Sequence, residues 1–91
     1  AQLLAFSRGS AAEPRATDLA RTLLEMEPLL RRLLGQRITL SVSADATTPA
    51  VWIDASQFTQ VVLNLVVNAR DAIVAKGEIG LRLRLLRAAE D

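Results

Sequence analysis

The sequence predicts an α+β two-layer sandwich, with helices laid on one face of a small sheet. Two observations carry that prediction. Stretches of helical periodicity and stretches of strict alternation are both present, and they follow in the order helix, helix, strand, strand, helix, strand. Composition sets the frame. The 91 residues make one domain at most, and 51% hydrophobic content excludes disorder on compositional grounds. With 3% aromatic residues, a net charge of +1 and arginines scattered along the chain, neither a base-stacking platform nor a basic stripe for nucleic acid is present.

The first segment, AQLLAFSR, places Leu3, Leu4 and Phe6 as the last turns of a helix, and GSAAEP reads as a linker. A second helix begins at Thr17 or Asp18, either of which can cap it. Leu19, Leu23, Met26, Leu30, Leu33 and Leu34 then recur at helical spacing, while Arg21 with Glu25 and Glu27 with Arg31 suit a solvated face. Pro28 removes a backbone donor inside this pattern and predicts a kink or a split, and Gly35 predicts the stop. RITLSVS alternates Ile38, Leu40 and Val42 against Thr39 and Ser41, which is a half-buried strand. VWID is a short second strand with Trp52 as its bulky member. Asp54 and Gln57 have capping-box spacing, so a long helix is expected over 55–75, with Lys76 and Gly77 at its end. EIGLRLRLLR sets Ile79, Leu81, Leu83 and Leu85 against Gly80, Arg82 and Arg84, a third strand with one wet face.

Chemistry is constrained as much by what is missing. Without cysteine there are no disulfides, no thiolate catalysis and no cysteine-ligated metal, which fits a reducing compartment. Without histidine, the commonest general base near neutral pH and most zinc sites are also gone. Attention therefore falls on the 55–75 helix. At 100° per residue, Gln57, Gln60, Asn64, Asn68 and Asp71 form one narrow stripe. Phe58, Val62, Leu65, Val66, Ala69, Ala72 and Ile73 form a broad apolar face, so the stripe is expected to line a cleft. Gln57 and Gln60 are good helix formers and need no special account. Asn is costlier within a helix, by about half a kcal/mol relative to Ala, so Asn64 and Asn68 read as groups kept for their chemistry. A carboxamide oxygen is a hard, neutral ligand suited to Mg²⁺, and its NH₂ can donate to a phosphate. Asp71 adds an acceptor for a base, a ribose or water. The set binds and orients, and it contains no general base.

VVLNLVVNARDAI resembles the N-box of sensor histidine kinases, in the GHKL (Bergerat-fold) ATPase superfamily. VWIDASQFTQ is similar to the D-x-x-x-x-x-Q lead-in before that box. QLLAFSR is similar to the end of the second dimerisation helix, and MEPLLRRLLGQRITLSVSA to the first helix and following strand of the ATP-binding domain. The resemblance spans essentially the whole chain, in order. It implies a partial Bergerat fold with three parts: residues 1–8 ending the dimerisation helix, 9–16 as linker, and 17–91 as part of the catalytic ATP-binding domain. It implies ATP and Mg²⁺ as cofactors, with Asn68 coordinating the metal and Asp71 near the nucleotide. Asn64 stands where hydrolysing relatives carry a glutamate that activates water, which disfavours a hydrolase or chaperone of the same superfamily.

The family's pattern also includes features that these residues lack. The phosphoacceptor histidine, the D-x-G-x-G adenine box and the glycine-rich lid are not found, so the 91 residues are expected to be an inactive excerpt of a larger kinase. In that parent, the γ-phosphoryl would pass to a histidine of the dimerisation domain and then to an aspartate of a response-regulator receiver. The parent would be a homodimer through its dimerisation helices and cytoplasmic, with or without a membrane anchor elsewhere. The alternative is a non-catalytic docking or phosphotransfer scaffold that has lost ATP binding.

Overall fold

The computed structural model describes residues 12–85. Its elements run β1 (Arg15–Thr17), α1 (Leu19–Leu34), β2 (Ile38–Ala44), β3 (Val51–Ile53), α2 (Ala55–Ala72) and β4 (Gly77–Leu83). The expected dimerisation-helix end at 1–8 lies outside the described residues, as does the last part of the expected third strand.

Helix α1 forms where its apolar spacing and its caps agree. Asp18 is the N-cap, its carboxylate accepting from the Arg21 amide at 3.1 Å. Gly35 closes the helix at φ 70°, a left-handed conformation that suits glycine, and its N–H donates to the Arg31 carbonyl at 3.0 Å. Pro28 does not split the helix as expected. It sits on the exposed side of one element running from Leu19 to Leu34, whose inner side is fixed by Leu23, Met26, Leu30 and Leu34. On the outer side the expected charge pairs form, Arg21 Nε to Glu25 at 3.3 Å and Arg31 Nε to Glu27 at 2.9 Å.

Strands β2 and β4 pair in parallel over seven residues, from Ile38 opposite Gly77 to Ala44 opposite Leu83. Ile38, Leu40 and Ile79 are buried on one face, with Val42, Leu81 and Leu83 partly covered beside them. Thr39, Ser41, Ser43, Glu78, Gly80 and Arg82 face water. The period-two reading holds over Ile38–Ala44 and Gly77–Leu83, but β4 stops there: Arg84 and Leu85, expected to continue it, are not strand, and Leu85 is exposed. Helices α1 and α2 pack against each other and over the apolar face, and Leu30 and Val66 are the large side chains most completely enclosed, at 0% and 1% exposure. At roughly 25 cal/mol per Å² of apolar surface, this cluster is the main stabilising feature of the molecule.

Among the described residues the strands do not form a single sheet. β3 pairs antiparallel with β1, Arg15 opposite Ile53 and Thr17 opposite Val51, leaving two separate two-stranded sheets. The reason lies in the partner β3 finds. Part of the expected linker, Arg15 and Ala16, is strand, and it lies along β3. The buried Thr17 hydroxyl sits 2.8 Å from the Arg15 carbonyl and 2.9 Å from that of Ile53, and shares its one proton between them. Trp52, the bulky member of β3, points away from the core and is 73% exposed.

Candidate functional site

Helix α2 starts where its capping residue dictates. Asp54 Oδ1 accepts from the Ser56 amide at 2.8 Å and from the Ser56 hydroxyl at 2.6 Å, and Oδ2 accepts from the Glu13 amide at 2.9 Å. These bonds, the Ser56 hydroxyl first, hold the Asp54 carboxyl down to a pKa of about 2. The capping role expected for Asp54 is present, with Ser56 where the capping-box spacing pointed to Gln57, which is exposed.

The helix ends at Ala72 and not at the expected 75, and Lys76 and Gly77 lie beyond it. Ile73 is extended, at φ −94° and ψ 115°, and its N–H donates to the Arg70 carbonyl at 3.1 Å. Arg37, just before β2, donates from one guanidinium nitrogen to the carbonyls of Ile73 at 2.9 Å and Ala75 at 2.7 Å. These bonds draw the outgoing chain toward the start of β2, and the turn is tight. A Cβ on Gly77 would come within 2.9 Å of Ile73 Cγ2, so a side chain there would force Ile73 to move.

Between these ends the inward side of α2 is narrower than its hydrophobicity suggests. Val62 and Val66 are buried, and Phe58, Leu63, Ala69 and Ile73 pack partly against the same cluster. Leu65 and Ala72, expected on the apolar face, are exposed, Leu65 at 57%. Val61, also outside, is 49% exposed. The polar stripe runs beside these apolar side chains. Asn64 and Gln60 are half-buried, while Gln57, Asn68 and Asp71 are exposed. The helical spacing of Asn64, Asn68 and Asp71 keeps them on one edge of α2, but that edge opens outward and is not enclosed as expected. Arg70 reaches round to Asp71, Nε to Oδ1 at 3.3 Å, an exposed pair of small energetic weight.

Two further features bound what the site can do. Among the described residues, no group of three or more His, Cys, Asp or Glu could hold a metal on its own. A hollow of about 360 Å³ lies away from the stripe, on the wet face of β2 and β4, lined by Ser41, Ser43, Gly80, Leu81 and Arg82. Among the described residues no helix is long and apolar enough to cross a membrane. Arg37 escaped the sequence reading because nothing local marks it. Its partners are 36 and 38 residues away.

No family model matches the chain. It is similar to the sensor kinase CckA of Brucella abortus (strain 2308), with 44% identity over 89 residues that cover 98% of this chain and 9% of that relative. The chain thus spans a small part of the length of the curated relative it matches. Identity at that level along nearly all of the chain supports a common origin with one segment of a sensor kinase.

Proposed function

We propose that this chain is part of the ATP-binding domain of a sensor histidine kinase, and that the Asn64, Asn68 and Asp71 edge of α2 faces Mg·ATP. The observation that carries the reading is that edge itself. Two carboxamides and a carboxylate lie within two turns of one helix, one half-buried and two open to an incoming ligand, in a motif that resembles the N-box. Likeness to a sensor kinase over 98% of the chain supports it.

The donor set fits the proposed ligand. Mg²⁺ takes one or two protein oxygens and completes its shell with phosphate oxygens and water, so a cluster of carboxylates is not required. Asn68 would hold it through its side-chain carbonyl oxygen, and Asp71 would accept from the nucleotide or from water. When bound, the ion neutralises charge on the phosphates. Asn64 can orient a phosphate oxygen or a water but cannot remove a proton, which favours transfer over hydrolysis. The acceptor is a histidine of another domain, since these 91 residues contain none, and an aspartate of a receiver domain follows it. The partners are therefore a response-regulator receiver and a second copy of the kinase.

The test is Asn68→Ala in the intact kinase. Autophosphorylation should fall by at least ~10²-fold, as expected on losing a group that stabilises transferred charge. Wild-type autophosphorylation would sink the assignment. A second reading, a scaffold without nucleotide chemistry, is favoured by one observation: Asn68 and Asp71 stand exposed and no cleft encloses them among the described residues. Titration of Mg·ATP into the intact protein separates the two, since a scaffold gives no saturable heat.

A further inference from the structure

Strand β3 passes straight into α2, and Asp54 is the residue at the junction. Its two carboxylate oxygens serve different segments. Oδ1 holds the head of α2 through Ser56, and Oδ2 takes the Glu13 amide, 41 residues away, where the chain comes into β1. The Glu13 carboxylate also lies 3.4 Å from Arg15, an exposed pair of small weight, and Arg15 stands opposite Ile53 in the β1–β3 ribbon. The Thr17 hydroxyl adds a bond to the Ile53 carbonyl. Three residues of strand pairing are too few to hold a ribbon by themselves in water. The polar bonds that reach β3 from Glu13 and Thr17, at Asp54 and Ile53, therefore decide whether β1 stays attached.

We infer that Asp54 is a positioning residue that joins the incoming chain at Glu13 to the head of α2, so that the two open and close as one unit. Helix capping alone needs one oxygen; the second makes α2 answer to whatever displaces the segment before β1. A carboxylate can do both because it is an acceptor at each oxygen. A carboxamide in the same place can cap, but it presents NH₂ to the Glu13 N–H, donor against donor. Asp54→Asn thus cuts the joint and leaves the cap. The consequence for the nucleotide edge on α2 rests on the function proposed above; the joint does not, and it is tested without nucleotide.

The experiment is amide hydrogen exchange on the 91-residue chain, across a series of low denaturant concentrations. In the wild type, the amides of Glu13 and of Arg15–Thr17 (residue 14 is a proline without an N–H) and those of the first turn of α2 should share one opening equilibrium and one denaturant slope, the mark of a single cooperative unit. In Asp54→Asn, exchange over Glu13–Thr17 should accelerate about tenfold, on the scale of one lost charge-assisted bond, while the first turn of α2 keeps its wild-type rate. Glu13→Pro, which deletes the donor and spares Asp54, should uncouple the ribbon in the same way. Asp54→Ala should accelerate both segments. Unchanged Glu13–Thr17 exchange in Asp54→Asn would overturn the joint. So would equal acceleration of β1, α1 and β2, which marks general loss of stability, or separate opening of the two segments in the wild type.

Discussion

The two sheets of this molecule are held by different physics. The β2–β4 sheet has seven paired residues and one apolar face pressed against α1 and α2, where Leu30 and Val66 are almost wholly enclosed. The β1–β3 ribbon has three paired residues, exposes Trp52 to water, and depends on the Asp54 carboxylate and the Thr17 hydroxyl. Apolar burial is non-directional and insensitive to pH, whereas a ribbon tied by named donors and acceptors can be released one bond at a time. The stable half carries the weight of the fold, and the weaker half is placed where the chain enters α2.

The largest expected effect should break the first half. Leu30→Ala removes a fully buried side chain from the middle of the core and should cost about 2–5 kcal/mol, read as a drop in urea midpoint at unchanged slope. A loss under 1 kcal/mol would mean that the apolar cluster is not what holds the two helices on the sheet. Next in size, Arg37→Ala should cost about 1 kcal/mol, because two carbonyls after α2 lose their donor but remain open to water. Its signature is faster exchange in the last turn of α2 with β1 untouched, and acceleration of β1 instead would count against the division.

Acid sharpens the contrast. Asp54 ionises at about 2 in the folded chain against 3.8 ordinarily, so its folded pKa is depressed. The stability it contributes is complete above 3.8 and is lost as pH falls through about 2. Between those values the ribbon should loosen while far-ultraviolet circular dichroism persists. Asp54→Asn, whose carboxamide carries no titratable proton, is the control that should flatten the response. Trp52 is already mostly in water, so the reporter is the backbone, through the amide chemical shifts of Arg15–Thr17. Shifts that stay constant from pH 5 to 2 would remove Asp54 as the ribbon's tie. Smallest of all, Trp52→Ser should shift stability by no more than ~0.5 kcal/mol, despite the size of the side chain, because the indole is mostly in water. A loss of 2 kcal/mol in the same urea titration would show that it packs.

Much of the stable half was legible in the sequence, and little of the other. The apolar spacing of α1, the alternation of β2 and β4 and the caps at Asp18, Gly35 and Asp54 are local signals, and each element starts within a residue of where its signal placed it, although α2 and β4 end early. The strand at Arg15–Thr17 has no such signal. Three residues without alternation become a strand only because Ile53 and Asp54 lie beside them. The early end of α2 likewise goes with a distant contact, Arg37 donating to the carbonyls of Ile73 and Ala75, which no local signal announces. For the candidate site, helical geometry alone put Asn64, Asn68 and Asp71 on one edge. Their depth was not readable, because a helical wheel sums apolar positions without knowing which of them meet a neighbour. Leu65 and Ala72 fall in the apolar sector and still face outward, since only the Val62 and Val66 side meets α1 and the sheet.

The parallel pairing of β2 with β4 has a consequence in time. Both β3 and the whole of α2 lie between these strands in the chain, and β1 likewise finds β3 only across α1 and β2. Neither sheet is a hairpin, so neither can be nucleated by a tight turn. Loop closure must be spent before any ladder bond rewards it, which makes the folding of such a topology slow for its length. During synthesis, the hydrophobic edge of Ile38, Leu40 and Val42 has no strand to pair with until Gly77–Leu83 has emerged. Until then the apolar side chains of β2 have no strand beside them, and unpaired apolar strands of this kind favour self-association.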